Sequence, residues 1–121
     1  MDHFINSILT PDEQKYSSIT ATFELQELTG VTYKFATLTA TDKRLIRYTK
    51  YPLGLKETNI YHYRDIINVD VTQSLFTFIN EESIKVQLIN QGNMNHFLDT
   101  IKYFSTHTPG IRNYYKKSLE N

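Results

Sequence analysis

Between residues 17 and 90 the chain keeps a two-residue period, and at residue 94 it changes to a helical one. Few folds accept both. Alternation places successive side chains on opposite faces of a strand, whereas apolar residues three and four apart share one face of a helix. Ile19, Ala21, Phe23 and Leu25 alternate with Ser18, Thr20, Thr22 and Glu24. After a turn at Thr29 and Gly30, Ala36, Leu38 and Ala40 alternate with Phe35, Thr37, Thr39 and Thr41. RLIRYTK, ETNIYHYRDI, IINVDV, LFTFIN and SIKVQLIN follow, broken by the YPLG turn and the polar EES. In IINVDV the alternation puts Ile67, Val69 and Val71 on one face, and in SIKVQLIN it groups Ile84, Val86 and Leu88. Seven short antiparallel strands over 17–90 predict a small barrel or sandwich. Then Met94, Phe97, Leu98, Ile101 and Phe104 form one stripe behind a capping Asn93, which predicts an amphipathic helix over 93–107 covering the open end of the strand unit.

One hairpin decides what the middle of the chain presents to solvent. Between LTAT and RLIR, a two-residue turn at Asp42 and Lys43 sets Leu38 opposite Arg47, an apolar side chain against a charged one. A three-residue loop ending at Arg44 pairs Ala40 with Ile46 and Leu38 with Tyr48, and turns Thr39 and Arg47 outward together. The second register is the expectation, since a one-residue slip exchanges the buried and exposed faces.

The lead-in over 1–16 reads as helical. DHFINSIL sets Phe4, Ile5, Ile8 and Leu9 on one face, and TPDE has the form of a capping box, with Thr10 as cap, Pro11 first in the helix and Glu13 three after the cap, a turn that either runs on as a helix or yields at once to the first strand. At 121 residues the chain is long enough for one core, so a single domain over 1–108 is expected, followed by a tail over 109–121. Pro109 and Gly110 stop the helix, and the tail either docks through Ile111, Tyr114 and Tyr115 or stays mobile, the second being the expectation.

Composition narrows the classes of function. The absence of cysteine excludes disulfide scaffolds, thiolate metal sites and cysteine nucleophiles, and fits a reducing compartment. No apolar run approaches the roughly 20 residues of a spanning helix, and the start is acidic where a signal peptide is basic, so a cytoplasmic protein is expected. His3, His62, His96 and His107 lie too far apart for a metal site. Glu81 and Glu82 are neighbours that a strand points to opposite faces, which suits no acid and base pair. No glycine-rich phosphate loop and no Gly-x-Ser-x-Gly elbow occurs. The reading is therefore of a protein that is not an enzyme, with no cofactor, no metal and no small-molecule substrate.

Net charge is zero but unevenly placed. Residues 1–30 carry −4, residues 31–64 carry +5 and the remainder −1. The neutral balance disfavours nucleic acid as a partner; the central block either makes a cationic patch or is cancelled in the fold by the acidic first block, and cancellation is the expectation.

The element order, together with two local motifs, resembles the bacterial pleckstrin-homology-like (PH-like) domain family. LTATDKRLIRY, residues 38–48, is similar to the family's Thr-x-x-Arg-Leu-Ile turn through Thr41, Arg44, Leu45 and Ile46. YHYRDIINV, residues 61–69, is similar to a later strand through Tyr63, Arg64, Asp65 and Ile66, and ILTPDE resembles the lead into the first strand. The likeness runs from about Ile8 to Phe104. It implies a mostly β (α+β) fold, a PH-like antiparallel seven-stranded barrel or sandwich capped by a C-terminal amphipathic helix, with a short N-terminal helix. It also implies a non-catalytic binding module. Eukaryotic relatives that hold phosphoinositides place basic residues in and beside the first hairpin. Here that hairpin, QELTGVTYK, offers only Lys34 and carries Glu27, a departure from the pattern.

The functional expectation is protein-protein interaction, with another protein or a second copy, through a strand edge beside the last helix or through tyrosines such as Tyr61, Tyr63 and Tyr103. The alternative is peripheral anion, phosphate or anionic-membrane contact through the basic hairpin over 43–56, by Lys43, Arg44, Arg47, Lys50 and Lys56.

Overall fold

The computed structural model describes residues 3–107. Helix α1 (His3–Ile8) precedes seven strands, β1 (Lys15–Glu27), β2 (Gly30–Thr41), β3 (Leu45–Lys50), β4 (Lys56–Tyr61), β5 (Ile66–Asp70), β6 (Leu75–Phe78) and β7 (Ser83–Gln91), and helix α2 (Met94–His107) follows them. Neighbouring strands are antiparallel in the order β4-β3-β2-β1-β7-β6-β5, and the sheet curls into a half-barrel. This is the PH-like architecture that the period change and the resemblance imply. The tail over 109–121, with Ile111, Tyr114 and Tyr115, the helix stop at Pro109 and Gly110, and the side chain of Phe4 lie outside the described residues.

β1 is the hub, hydrogen-bonded to β2 on one side and β7 on the other. Its odd-numbered residues Ile19, Ala21, Phe23 and Leu25 are buried in the concave face with Ala36, Leu38 and Ala40 of β2. The helical stripe seals that face. Phe97, Leu98 and Ile101 are fully buried, and Met94 and Phe104 pack against the same core. Asn93 caps α2, its Oδ1 accepting the His96 N–H at 3.0 Å. Gly92 turns the chain from β7 into α2 at φ +101°, where a Cβ would collide with the Ser18 carbonyl and Ile19.

Four local expectations are corrected. The β2–β3 register is the one with Leu38 opposite Arg47 and Ala40 opposite Leu45, so Thr39 faces Ile46 rather than Arg47. The expectation failed because it held Arg47 to be a solvent residue. Arg47 is 3% exposed and points inward, donating from Nε to Tyr61 Oη at 3.0 Å and from Nη1 to Thr49 Oγ1 at 3.4 Å. The outward residues of β3 are Ile46 and Tyr48, which form a second small core with Ile5, Ile8 and Leu9 from α1 and its end.

TPDE begins no helix. Glu13 makes one half of the capping box, accepting the Thr10 N–H at 3.1 Å, but Thr10 Oγ1 donates to Asp12 instead and β1 starts two residues later. ETNIYHYRDI is not one strand either. β4 and β5 are opposite edges of the sheet, so the chain must leave one edge for the other, and it crosses through a 3-10 turn at Tyr63–Asp65. Finally, two irregularities invert the alternation. A register shift between Ile66 and Asn68 buries Ile66 and leaves Ile67 and Val71 exposed, while Val69 packs on the core. In β7 a shift opposite Thr22 and Phe23 passes over Gln87, which leaves Leu88 72% exposed on the outer face, apart from buried Ile84 and Val86.

Candidate functional site: a cationic groove on the outer face

The structure disperses the five basic residues of the 43–56 hairpin into four environments. Lys43 Nζ lies 3.1 Å from Asp12 Oδ2 at the surface. Arg44 is a structural clamp: Nε and Nη2 hold the two carboxylate oxygens of Glu13 at 2.9 and 3.1 Å, and Nη2 also donates to Ile8 O at 2.9 Å. Thr41 Oγ1 adds a 2.6 Å bond to the same carboxylate. Burial alone would raise the Glu13 carboxyl, but the bonds from Arg44, Thr41 and the Thr10 N–H outweigh it and hold the group below its usual value. Arg47 lies inside, as described.

Lys50 and Lys56 remain at the outer face, and the fold brings Lys15 to them. The three line a groove of about 1090 Å³. Its floor is the outward face of β1 and β2, where Ser18 Oγ meets Thr39 Oγ1 at 3.2 Å and Thr20 Oγ1 meets Thr37 Oγ1 at 2.9 Å. Each such pair spends one hydroxyl proton internally and leaves the other to donate to a guest. The walls are Ile5 of α1 and the Tyr51–Leu55 corner. That corner carries a strained residue, Leu53 at φ +66°, with its side chain 98% exposed.

Two features make the groove electropositive. Among the described residues no carboxylate lines it. Lys50 and Lys56 are direct cross-strand partners between β3 and β4, which sets two positive charges side by side at its rim. Toward the β1–β2 turn the same sheet face continues as an exposed apolar row, with Val31, Tyr33 and Phe35 of β2 each more than half exposed and Leu88 across Thr22 from Phe35.

The opposite, concave side of the sheet is closed to anions at its mouth. Lys34 Nζ donates to Tyr51 Oη at 2.7 Å and Glu57 Oε1 at 2.9 Å, bonds that hold its ammonium above the usual value, and Tyr51 Oη donates to the same Glu57 oxygen at 3.0 Å. Arg47 Nη1 lies 3.4 Å from that oxygen. The cation of the first hairpin is thus engaged by an internal acid.

The three tyrosines also part. Tyr63 is 1% exposed and donates its hydroxyl to Thr41 O at 2.6 Å; burial pushes the phenol far up. Tyr61 is half-buried and stacks on Phe78 at 5.0 Å. Neither makes an open surface patch, which corrects the expectation at 61 and 63: the alternation of β4 sets Tyr61 on the inner face opposite Leu45, and the crossover at Tyr63–Asp65 buries Tyr63. Tyr103 is at the surface, 54% exposed.

Lys15 was missed because it stands beyond the alternating run, in a strand that starts two residues earlier than expected. The signal that could have found the floor is the matching pair of hydroxyl ladders, Ser18 with Thr20 and Thr37 with Thr39, which any antiparallel pairing through the Leu28–Thr29 turn brings together. Among the described residues no three His, Asp or Glu side chains converge as a metal site would require, and no helix is long and apolar enough to cross a membrane. A family model described as the bacterial PH domain matches residues 9–103, which is 95 of the 121 residues. No curated protein and no solved structure gives a match.

Proposed function

Because the chain belongs to the bacterial PH domain family, whose domains are in general binding modules, we propose that it is a non-catalytic protein-interaction module of the cytoplasm that holds an acidic, partly apolar segment of another protein across the outer face of β1–β3. The observation that carries this reading is the groove itself: among the described residues it is lined by three lysines, a floor of four hydroxyls and no carboxylate. Carboxylate side chains of the partner sit over Lys15, Lys50 and Lys56, and its apolar side chains lie on Val31, Tyr33 and Phe35. Charge sets the association rate and the specificity of such a contact, and the apolar row supplies burial.

The same cations offer a phosphate or an anionic membrane a second way to bind. The shape of the groove favours a chain over a bilayer, since the lysines line a walled concavity and a flat membrane meets convex surfaces first. Of the residues named from sequence, Lys50 and Lys56 belong to this site, with Lys15 added.

Fluorescence anisotropy with labelled peptides of alternating acidic and apolar residues, set against co-sedimentation with anionic vesicles, separates the two. The expected result is saturable peptide binding that weakens steeply with salt, is lost in Lys15→Glu plus Lys50→Glu, and is unmatched by the vesicles. Vesicle binding without peptide binding assigns the groove to lipid; binding of either that the double reversal leaves intact places the ligand elsewhere.

A further inference from the structure

A second cleft, of about 400 Å³, lies on the other side of β1, between the start of that strand and the exposed face of α2. It is lined by Tyr16, His96, Asp99, Thr100, Tyr103 and Phe104. Residues 96, 100 and 104, and 99 and 103, stand one helical turn apart, so α2 presents them on one flank. Tyr16 reaches them because of a register irregularity between Lys15 and Ser17, where β1 carries an extra residue opposite β2. Such a bulge re-aims a side chain. Here Lys15 lines the outer groove while its neighbour Tyr16 packs edge-on against Phe104 at 5.2 Å, with ring planes at 63°. Tyr103 meets Phe104 from another side at 5.2 Å and 89°. Phe104 is thus tilted against both tyrosines, while one of its own faces stacks on Tyr63 at 5.3 Å and 22°.

Its polar groups are mostly committed. Thr100 Oγ1 donates to His96 O at 2.7 Å, and His96 Nδ1 is 2.9 Å from Ser17 Oγ. Asp99 is the one carboxylate of the lining, and among the described residues it has no cation within ion-pair distance; Lys102, three positions on, does not reach it. His107 stacks on one face of Tyr103 at 4.1 Å, which leaves the other face to receive a guest.

We infer that this cleft binds a quaternary ammonium group, with the faces of Tyr16, Tyr103 and Phe104 as the cage and Asp99 as the counter-charge. Aromatic faces attract a cation through the ring quadrupole, and they suit one with no N–H to satisfy. A primary ammonium is held best by converging hydrogen-bond acceptors, whereas a quaternary ammonium asks for none and meets the rings with its methyl groups. An anion is opposed by Asp99. The site is independent of the cationic groove, since Lys15 and Tyr16 send their side chains to different cavities.

Amide NMR titration of the full chain with tetramethylammonium and with choline tests this, beside 3,3-dimethylbutan-1-ol, the uncharged analogue of choline with the same shape. Saturable shifts confined to residues near Tyr16 and to 96–104 are expected, with the alcohol at least about tenfold weaker. Tyr103→Leu, which keeps the helix and removes the ring, should weaken choline about tenfold, and Asp99→Asn about threefold. Lys15→Glu plus Lys50→Glu should leave choline binding unchanged, so the two sites fail separately. Equal affinity for the alcohol, shifts that stay linear with concentration, or a Tyr103→Leu chain that binds as before would each overturn the cage. Vesicles with choline headgroups, compared with free choline, show whether the cation is taken from a lipid surface or from solution.

Discussion

Arg44 illustrates how a residue that looks like a ligand-binding cation serves the fold instead. Its guanidinium is shared between Glu13, whose side chain is fully buried, and the last carbonyl of α1, so it ties the lead-in to the β2–β3 turn. Removing one partner strands a buried charge. Arg44→Met should cost about 3 kcal/mol in urea unfolding, and Glu13→Leu added to it should recover most of the loss, because an apolar pair leaves no charge uncompensated. The same carboxylate makes stability depend on acid. Its folded value lies below the ordinary 4.5, so its contribution is complete above that value and is lost as pH falls through the lower, folded one. The melting temperature should therefore decline between about pH 5 and about pH 2, and Glu13→Gln should flatten that part of the profile. An equally steep decline in Glu13→Gln would assign the acid sensitivity to other carboxylates.

Among the elements, α1 has a role out of proportion to its six residues. The β2–β3 register sends Ile46 and Tyr48 outward, and only a cover makes that arrangement tolerable: Ile5, Ile8 and Leu9 provide it. Arg47 facing inward and α1 lying outside are thus two sides of one arrangement. Deleting residues 1–9 should expose the second core and lower stability by at least about 2 kcal/mol. Amide exchange should accelerate first in β3, and the chain should gain affinity for an apolar dye. Unchanged exchange in β3 would mean that α1 covers nothing of consequence. The α2 stripe is the simpler case. Its spacing named the buried residues from sequence, since a helix on a curled sheet has one face to hide and no register to slip.

For the whole molecule, the outer face is where charge decides binding. Lys56→Glu sets a carboxylate opposite Lys50 in the groove, so it should weaken the acidic peptide several-fold while leaving the fold intact by circular dichroism. A variant that binds the peptide as before would remove Lys56 from the site. How much of this was legible differs by kind of feature. Seven strands, the change of period and the capping helix were in the sequence, because alternation and helical spacing are local and each element states its own. So was the Asn93 cap, three residues before the N–H it binds. Not legible were the register at Asp42 and Lys43, the inward Arg47, the inverted phases at Ile67 and Leu88, and the meeting of Lys15 with Lys50 and Lys56. These depend on which strand lies beside which, on where a bulge inserts a residue, and on what covers the far side of a sheet. A single residue's slip reverses both faces of a strand at little local cost, so only the packing of distant segments against one another chose between the alternatives.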